Sequence, residues 1–165
     1  DVIGLGVQQI GLVESLSSAI DMSLFAVSGL LMDRLGRKFA IVPSFAIQAL
    51  GMALLPLAGS FYGLLGVTLL IGLGNGIGAG TMMTLGADLA PPDSRGEFLG
   101  LWRLIGDGGH AGGPLAVGQV AEWLALSPAA WVISGAGLTA ALIFVLFVPE
   151  TLKKQPSTAP NPENV

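Results

Sequence analysis

Met22-Ser23-Leu24-Phe25-Ala26-Val27-Ser28-Gly29-Leu30-Leu31-Met32-Asp33-Arg34-Leu35-Gly36-Arg37-Lys38 is an apolar run that stops against a charged turn, and apolar residues resume at once with Phe39. Read outward from that turn, the chain divides into apolar stretches at about 9–32, 39–58, 62–89, 98–121 and 129–148, separated by short polar breaks. Each approaches or exceeds the ~20 residues that cross a hydrocarbon layer as helix. Strict apolar/polar alternation is missing, which excludes a membrane barrel. The remaining structure able to satisfy its own backbone in lipid is a helix bundle. The expectation is an all-α membrane protein of five transmembrane helices over 1–149, a partial six-helix half-bundle.

Composition agrees. Hydrophobic residues make up 52% of the 165 and charged residues 11%, against about 25% charged in an ordinary soluble domain; the mean hydropathy is +0.75. So few charges do not cover a water-soluble globule. The absence of cysteine rules out disulfides and thiolate metal sites, and with one histidine no metal-ligand cluster is available. No nucleophile–base–acid set is visible, so an enzyme is not expected, and no cofactor is called for. The glycine-dense segment Gly72-Leu73-Gly74-Asn75-Gly76-Ile77-Gly78-Ala79-Gly80 lacks the Lys-Ser/Thr of a phosphate-binding loop. The cations form no stripe for nucleic acid.

Lysine and arginine accumulate on the cytoplasmic side of membrane proteins, and all seven here obey one topology. Arg34, Arg37 and Lys38 follow the first span, Arg95 and Arg103 lie at or after the third break, and Lys153 and Lys154 follow the last span. The breaks Ala58–Tyr62 and Glu122–Ala129 carry none, and Tyr62, Trp123 and Trp131 mark that outer side, where amphipathic rings favour the headgroup layer. The first span therefore runs inward. Residues 150–165 are read as a disordered cytoplasmic tail, because Gln155 to Val165 has no apolar face to bury. The chain starts at Asp1 without methionine or a basic signal-peptide region, as expected of a fragment.

The turn Gly29-Leu30-Leu31-Met32-Asp33-Arg34-Leu35-Gly36-Arg37-Lys38 resembles the G-x-x-x-D-R-x-G-R-K signature of the major facilitator superfamily, placed between two spans as that family places it. Asp88 and Arg95, with six residues between them at the inner end of the third span, resemble its acidic-x6-Arg motif. Pro149-Glu150-Thr151 is similar to the ending of each half in sugar-porter-like members. The resemblance implies that Asp33, Arg34, Arg37, Lys38, Asp88, Arg95 and Glu150 form a cytoplasmic gate network that breaks as the carrier opens inward. A plain stop-transfer loop is the alternative reading of the same charges. Gly100, Gly109, Gly113 and Pro114 resemble the G-x8-G-x3-G-P motif of the drug:proton antiporter branch, although Val117-Gly118 replaces its final glycine pair. Glycines so spaced permit close helix approach and Pro114 a kink. Antiporters of this kind carry an arginine before a Q-G-x-G-like segment, and glycine stands there instead. That departure and the Pro-Glu-Thr ending favour helices eight to twelve, the C-terminal half, over helices two to six.

Ionisable groups inside a span are functional candidates by default. Glu14 and Asp21 lie seven residues apart, on one helix face and about 10 Å apart along the axis. Asp21, near mid-bilayer, is a candidate for binding a coupling proton or a cationic substrate. His110 is either a proton carrier or a neutral packed imidazole, and Arg103 and Asp107, spaced i,i+4, are read as a self-neutralising pair. Asn75, with Met82 and Met83 nearby, becomes a candidate cavity residue by resemblance, while the glycines around it also suit plain helix packing. The resemblance thus implies a secondary transporter of small solutes by alternating access, with proton-coupled multidrug efflux ahead of sugar or metabolite uptake, or else a derived receptor or scaffold. Its expected partners are a small-molecule substrate, lipid and the missing N-terminal half, and its expected location is the plasma membrane, the inner membrane of a bacterium.

Overall fold

Two glycines set the main discontinuities of the chain. Gly36, at φ 113°, ends the first helix and starts the second, and Gly80, at φ 73°, breaks what the sequence presents as one long span. Both conformations suit a residue without a Cβ. The structure is a computed structural model describing residues 5–124 and 126–151. It contains α1 (Val7–Leu35), α2 (Arg37–Leu54, extended by a 3-10 turn at Leu55–Leu57), α3 (Phe61–Gly78), α4 (Thr81–Leu89), α5 (Arg95–Leu124) and α6 (Leu126–Phe147). Lys153, Lys154 and most of the expected tail lie outside the described residues.

Among the described residues, four stretches are long and apolar enough to cross a membrane: Val7–Leu35, Arg37–Leu57, Phe61–Leu89 and Ser127–Phe147. The remaining expected span, 98–121, corresponds to α5, which has the length but is diluted by Arg103, Asp107 and His110. The expected span at 62–89 is corrected in one respect, since it consists of α3 and α4 joined at Ala79 and Gly80.

Lipid offers no hydrophobic drive for helix association, so close packing and interhelical hydrogen bonds must supply it. Helix α3 wedges between α1 and α2 on alternating glycines. Gly72 and Gly76 share one face and meet α1, where a Cβ would stand 2.6 Å from Ser17 Oγ and 2.9 Å from Asp21 O respectively. Gly74 and Gly78, about 200° round the helix, meet Gln48 and Ser44 of α2. Ser17 donates to Thr68 O at 2.8 Å. On the far side of α2, Ser134 of α6 donates to Ala49 O at 2.7 Å and Trp131 to Ala53 O at 3.2 Å. The rings of Phe45 and Phe144 lie 5.6 Å apart.

The break between α3 and α4 releases carbonyls that need new donors. The fully buried Ser28 of α1 takes this role, its hydroxyl lying 2.8 Å from Ile77 O and 2.7 Å from Ala79 O. Thr81 Oγ1 donates to Gly78 O. Ser28→Ala should lower stability by about 1–3 kcal/mol by orphaning buried carbonyls, read as thermal unfolding in detergent. An unchanged melting temperature would mean that the break is held without Ser28.

Candidate functional site

The charged end of the bundle is organised by Arg37, the first residue of α2. Its Nε donates to Asp88 Oδ2 at the end of α4 (2.9 Å), and its Nη1 to Met32 O (2.7 Å) and to Asp33 Oδ1 (3.3 Å) on α1. The side chain of Arg37 is 13% exposed and those of Asp88 and Asp33 are 25% and 74% exposed. The Asp88 contact is therefore the better shielded of the two ion pairs. Thr151 Oγ1 donates to the same Asp88 Oδ2 at 3.0 Å.

Glu150 closes the cluster from the end of α6. Its Oε1 accepts from Arg37 N at 2.8 Å and its Oε2 from Lys38 N at 3.0 Å. These are the first two backbone donors of α2, which have no partner within their own helix. A carboxylate here also faces the positive end of the helix dipole. Any Cβ at position 36 would collide with the Glu150 carboxylate, so the glycine serves both the turn and the approach. Lys38 Nζ donates to Val145 O at 2.8 Å and fastens α2 to α6 a second time.

Five of the seven residues expected in this network, Asp33, Arg37, Lys38, Asp88 and Glu150, thus meet. Arg34 and Arg95 are exposed and form no ion pair with a described residue. Between Asp88 and Arg95 the chain is redirected by Pro91 and the 3-10 turn Pro92–Ser94, and Asp88 turns to Arg37 instead. Sequence reading missed two contributors, the Met32 carbonyl and the Thr151 hydroxyl. Thr151 stood inside the quoted Pro-Glu-Thr motif and was the one available signal.

A second polar site lies deeper. Asn75 Nδ2 donates to Asp21 Oδ2 at 2.8 Å across the α1–α3 interface, while Asp21 Oδ1 is buried without a partner. Glu14, Ser17, Ser18, Asp21, Gln48 and Asn75 contribute to a recess of about 180 Å³. Glu14 and Asp21 thus border one recess, and Asn75 is joined to Asp21 there. A larger chamber of about 450 Å³ adjoins this recess, sharing Gln48 and Asn75, and His110 and Met82 line it.

Gly100, Gly109 and Gly113 approach no described helix, since nothing lies within 4 Å of where their Cβ atoms would stand. Pro114 lies inside α5. Close packing falls instead to glycines on other helices, those of α3 together with Gly51, Gly86 and Gly137. Arg103 and Asp107 form the expected local pair at 3.7 Å, and both are exposed. Among the described residues, no group of three His, Cys, Asp or Glu side chains could hold a metal ion.

A comparison with curated proteins gave no match. The family model of the Major Facilitator Superfamily matches residues 1–164. With the charged turn between α1 and α2 and an all-helical, lipid-compatible fold, this chain belongs to the Major Facilitator Superfamily of secondary transporters and is an integral membrane protein.

Proposed function

We propose that the chain forms one half, helices eight to twelve, of a proton-coupled carrier that exports small drug-like solutes by alternating access. The observation that supports it most is the Arg37 cluster, which ties α1, α2, α4 and the end of α6 at one end of the bundle. Each partly exposed ion pair is worth only ~0–1 kcal/mol, so the set can be broken and remade in each cycle. In this reading the cluster is the cytoplasmic gate, and α5, 30 residues long, is the fifth span. Its charged positions then face protein or water, the other half of the same transporter supplying that wall.

Asp21 is the proton site in this mechanism. Its buried Oδ1 has no hydrogen-bond partner and is the oxygen that takes the proton, while Asn75 holds the other oxygen. Protonation would weaken the Asn75 contact and free α1 relative to α3. A sugar-porter-like uptake carrier is the second reading, favoured by the entry of both Glu150 and Thr151 into the cluster.

The test is proton flux in everted vesicles holding the full-length parent protein, with cationic drugs, sugars and organic acids added in turn. Solute-triggered proton release from the lumen is expected, and Asp21→Asn should abolish it while leaving solute binding in place. Full activity of Asp21→Asn would remove Asp21 from coupling. Silence towards every solute would leave facilitated or sodium-coupled uptake, or a non-transporting receptor or scaffold.

A further inference from the structure

The chamber of about 450 Å³ is lined by α2, α3, α4, α5 and α6, with Phe25 of α1 beside them. That volume falls in the ~300–1,000 Å³ range of small-molecule pockets. Phe25, Phe45 and Phe144 form its aromatic wall, with Ile41 and Leu85 beside them. Its polar groups are the amides of Gln48 and Asn75, the hydroxyls of Ser44 and Thr81, and the His110 imidazole. No Asp, Glu, Lys or Arg is among the lining residues. Asp21 lies behind Asn75, which holds one of its oxygens, and the Arg103–Asp107 pair borders a separate recess that shares Met82.

Two acceptors are left over. Gln48 Nε2 donates to Ser44 Oγ at 3.0 Å and Asn75 Nδ2 to Asp21, but neither amide oxygen receives a hydrogen bond from a described residue. His110 likewise makes no hydrogen bond among the described residues. The chamber therefore presents aromatic rings and open hydrogen-bond acceptors, with no charged side chain among its lining residues. A solute carrying a full charge would shed its hydration there without compensation. An uncharged solute with an aromatic body and hydroxyl or amide donors would keep its stacking contacts and satisfy the free oxygens.

We propose that this intrabundle chamber binds an uncharged amphiphile bearing one aromatic ring and several hydrogen-bond donors. The proposal rests on the carrier reading above, which it narrows from drug-like solutes in general to neutral ones. Gln48 and Asn75 set the polar end of the ligand, and Phe45 with Phe144 takes the ring.

The probe set is phenyl β-glucoside, phenyl β-glucosaminide and phenyl β-glucuronide, which share a shape and carry neutral, positive and negative charge. Binding to the purified chain in nanodiscs is measured by equilibrium dialysis at about pH 6.5, where the glucosaminide amine is mostly protonated and the glucuronide carboxylate fully ionised. The neutral probe should bind about tenfold more tightly than either charged one, as an uncompensated charge demands. Gln48→Leu, close in volume, should weaken it roughly fivefold by removing one acceptor, and Phe144→Ala should do so by removing the ring contact. If Phe144→Ala does not fold, Gln48→Leu alone still decides. Tightest binding of the cation, or no binding of any probe, overturns the proposal without touching the carrier reading. Binding of the neutral probe without solute-driven proton flux in the parent protein upholds the chamber and removes proton coupling from the carrier reading.

Discussion

Gly76→Val should destabilise the detergent-solubilised chain by about 3 kcal/mol, the upper range for overpacking a tight contact. The first added carbon alone would stand 2.8 Å from Leu24 Cβ, 2.9 Å from Asp21 O and 3.1 Å from Asp21 Cα. Two of those atoms belong to the backbone of α1 and cannot swing aside, so α1 and α3 must separate. Separation would also stretch the Asn75–Asp21 hydrogen bond, and coupling should fail together with stability. Gly66→Val, on the same helix but with nothing within 4 Å, is the control and should change stability by less than about 0.5 kcal/mol. Equal melting temperatures for the two variants would mean that α3 is not held by its glycines.

Arg37→Ala should cost about 2–3 kcal/mol, because it removes a charge-assisted bond to Asp88 and the donor to Met32 O in a part-buried setting. Asp88 would keep only Thr151. Asp33→Asn should cost less than about 1 kcal/mol, since Asp33 is 74% exposed and its contact with Arg37 is 3.3 Å. Arg37→Lys should fall between them, because one ammonium cannot reproduce the fork that reaches both Asp88 and the α1 carbonyl. Thermal unfolding of the three variants gives the order, and transport by the parent protein should be lost in Arg37→Ala. An Arg37→Ala variant as stable as Asp33→Asn would mean that Arg37 does not organise this end.

The turn between α1 and α2 was legible because its chemistry is local: glycine for the turn, charges for the aqueous boundary and apolar runs on either side. Asp88 and Glu150 were legible only through resemblance, since they lie 51 and 113 residues from Arg37 and nothing in their neighbourhood announces the contact. The division of α3 from α4 was hidden for a related reason. Glycine density at 72–80 signals either close packing or a break, and the structure uses Gly72, Gly74, Gly76 and Gly78 for packing and Gly80 for the break. Ser28 gave no signal at all, because its acceptors sit 49 and 51 residues away. The glycine spacing of α5 was legible as a pattern, but its glycines meet no described helix.

The attachment of Glu150 to the start of α2 imposes an order on biosynthesis. The first backbone donors of α2 leave the ribosome 113 residues before the carboxylate that receives them, a delay of about 6–20 s at about 5–20 residues per second. Until then the backbone N–H groups of Arg37 and Lys38 have water or lipid headgroups for company, while the Arg37 side chain can already reach Met32 O, Asp33 and, once α4 is made, Asp88. The arrival of Glu150 and Thr151 then completes the Arg37 cluster in one event. A chain whose last helix has not been synthesised cannot form it, so the closed end of the bundle also reports that translation has passed α6.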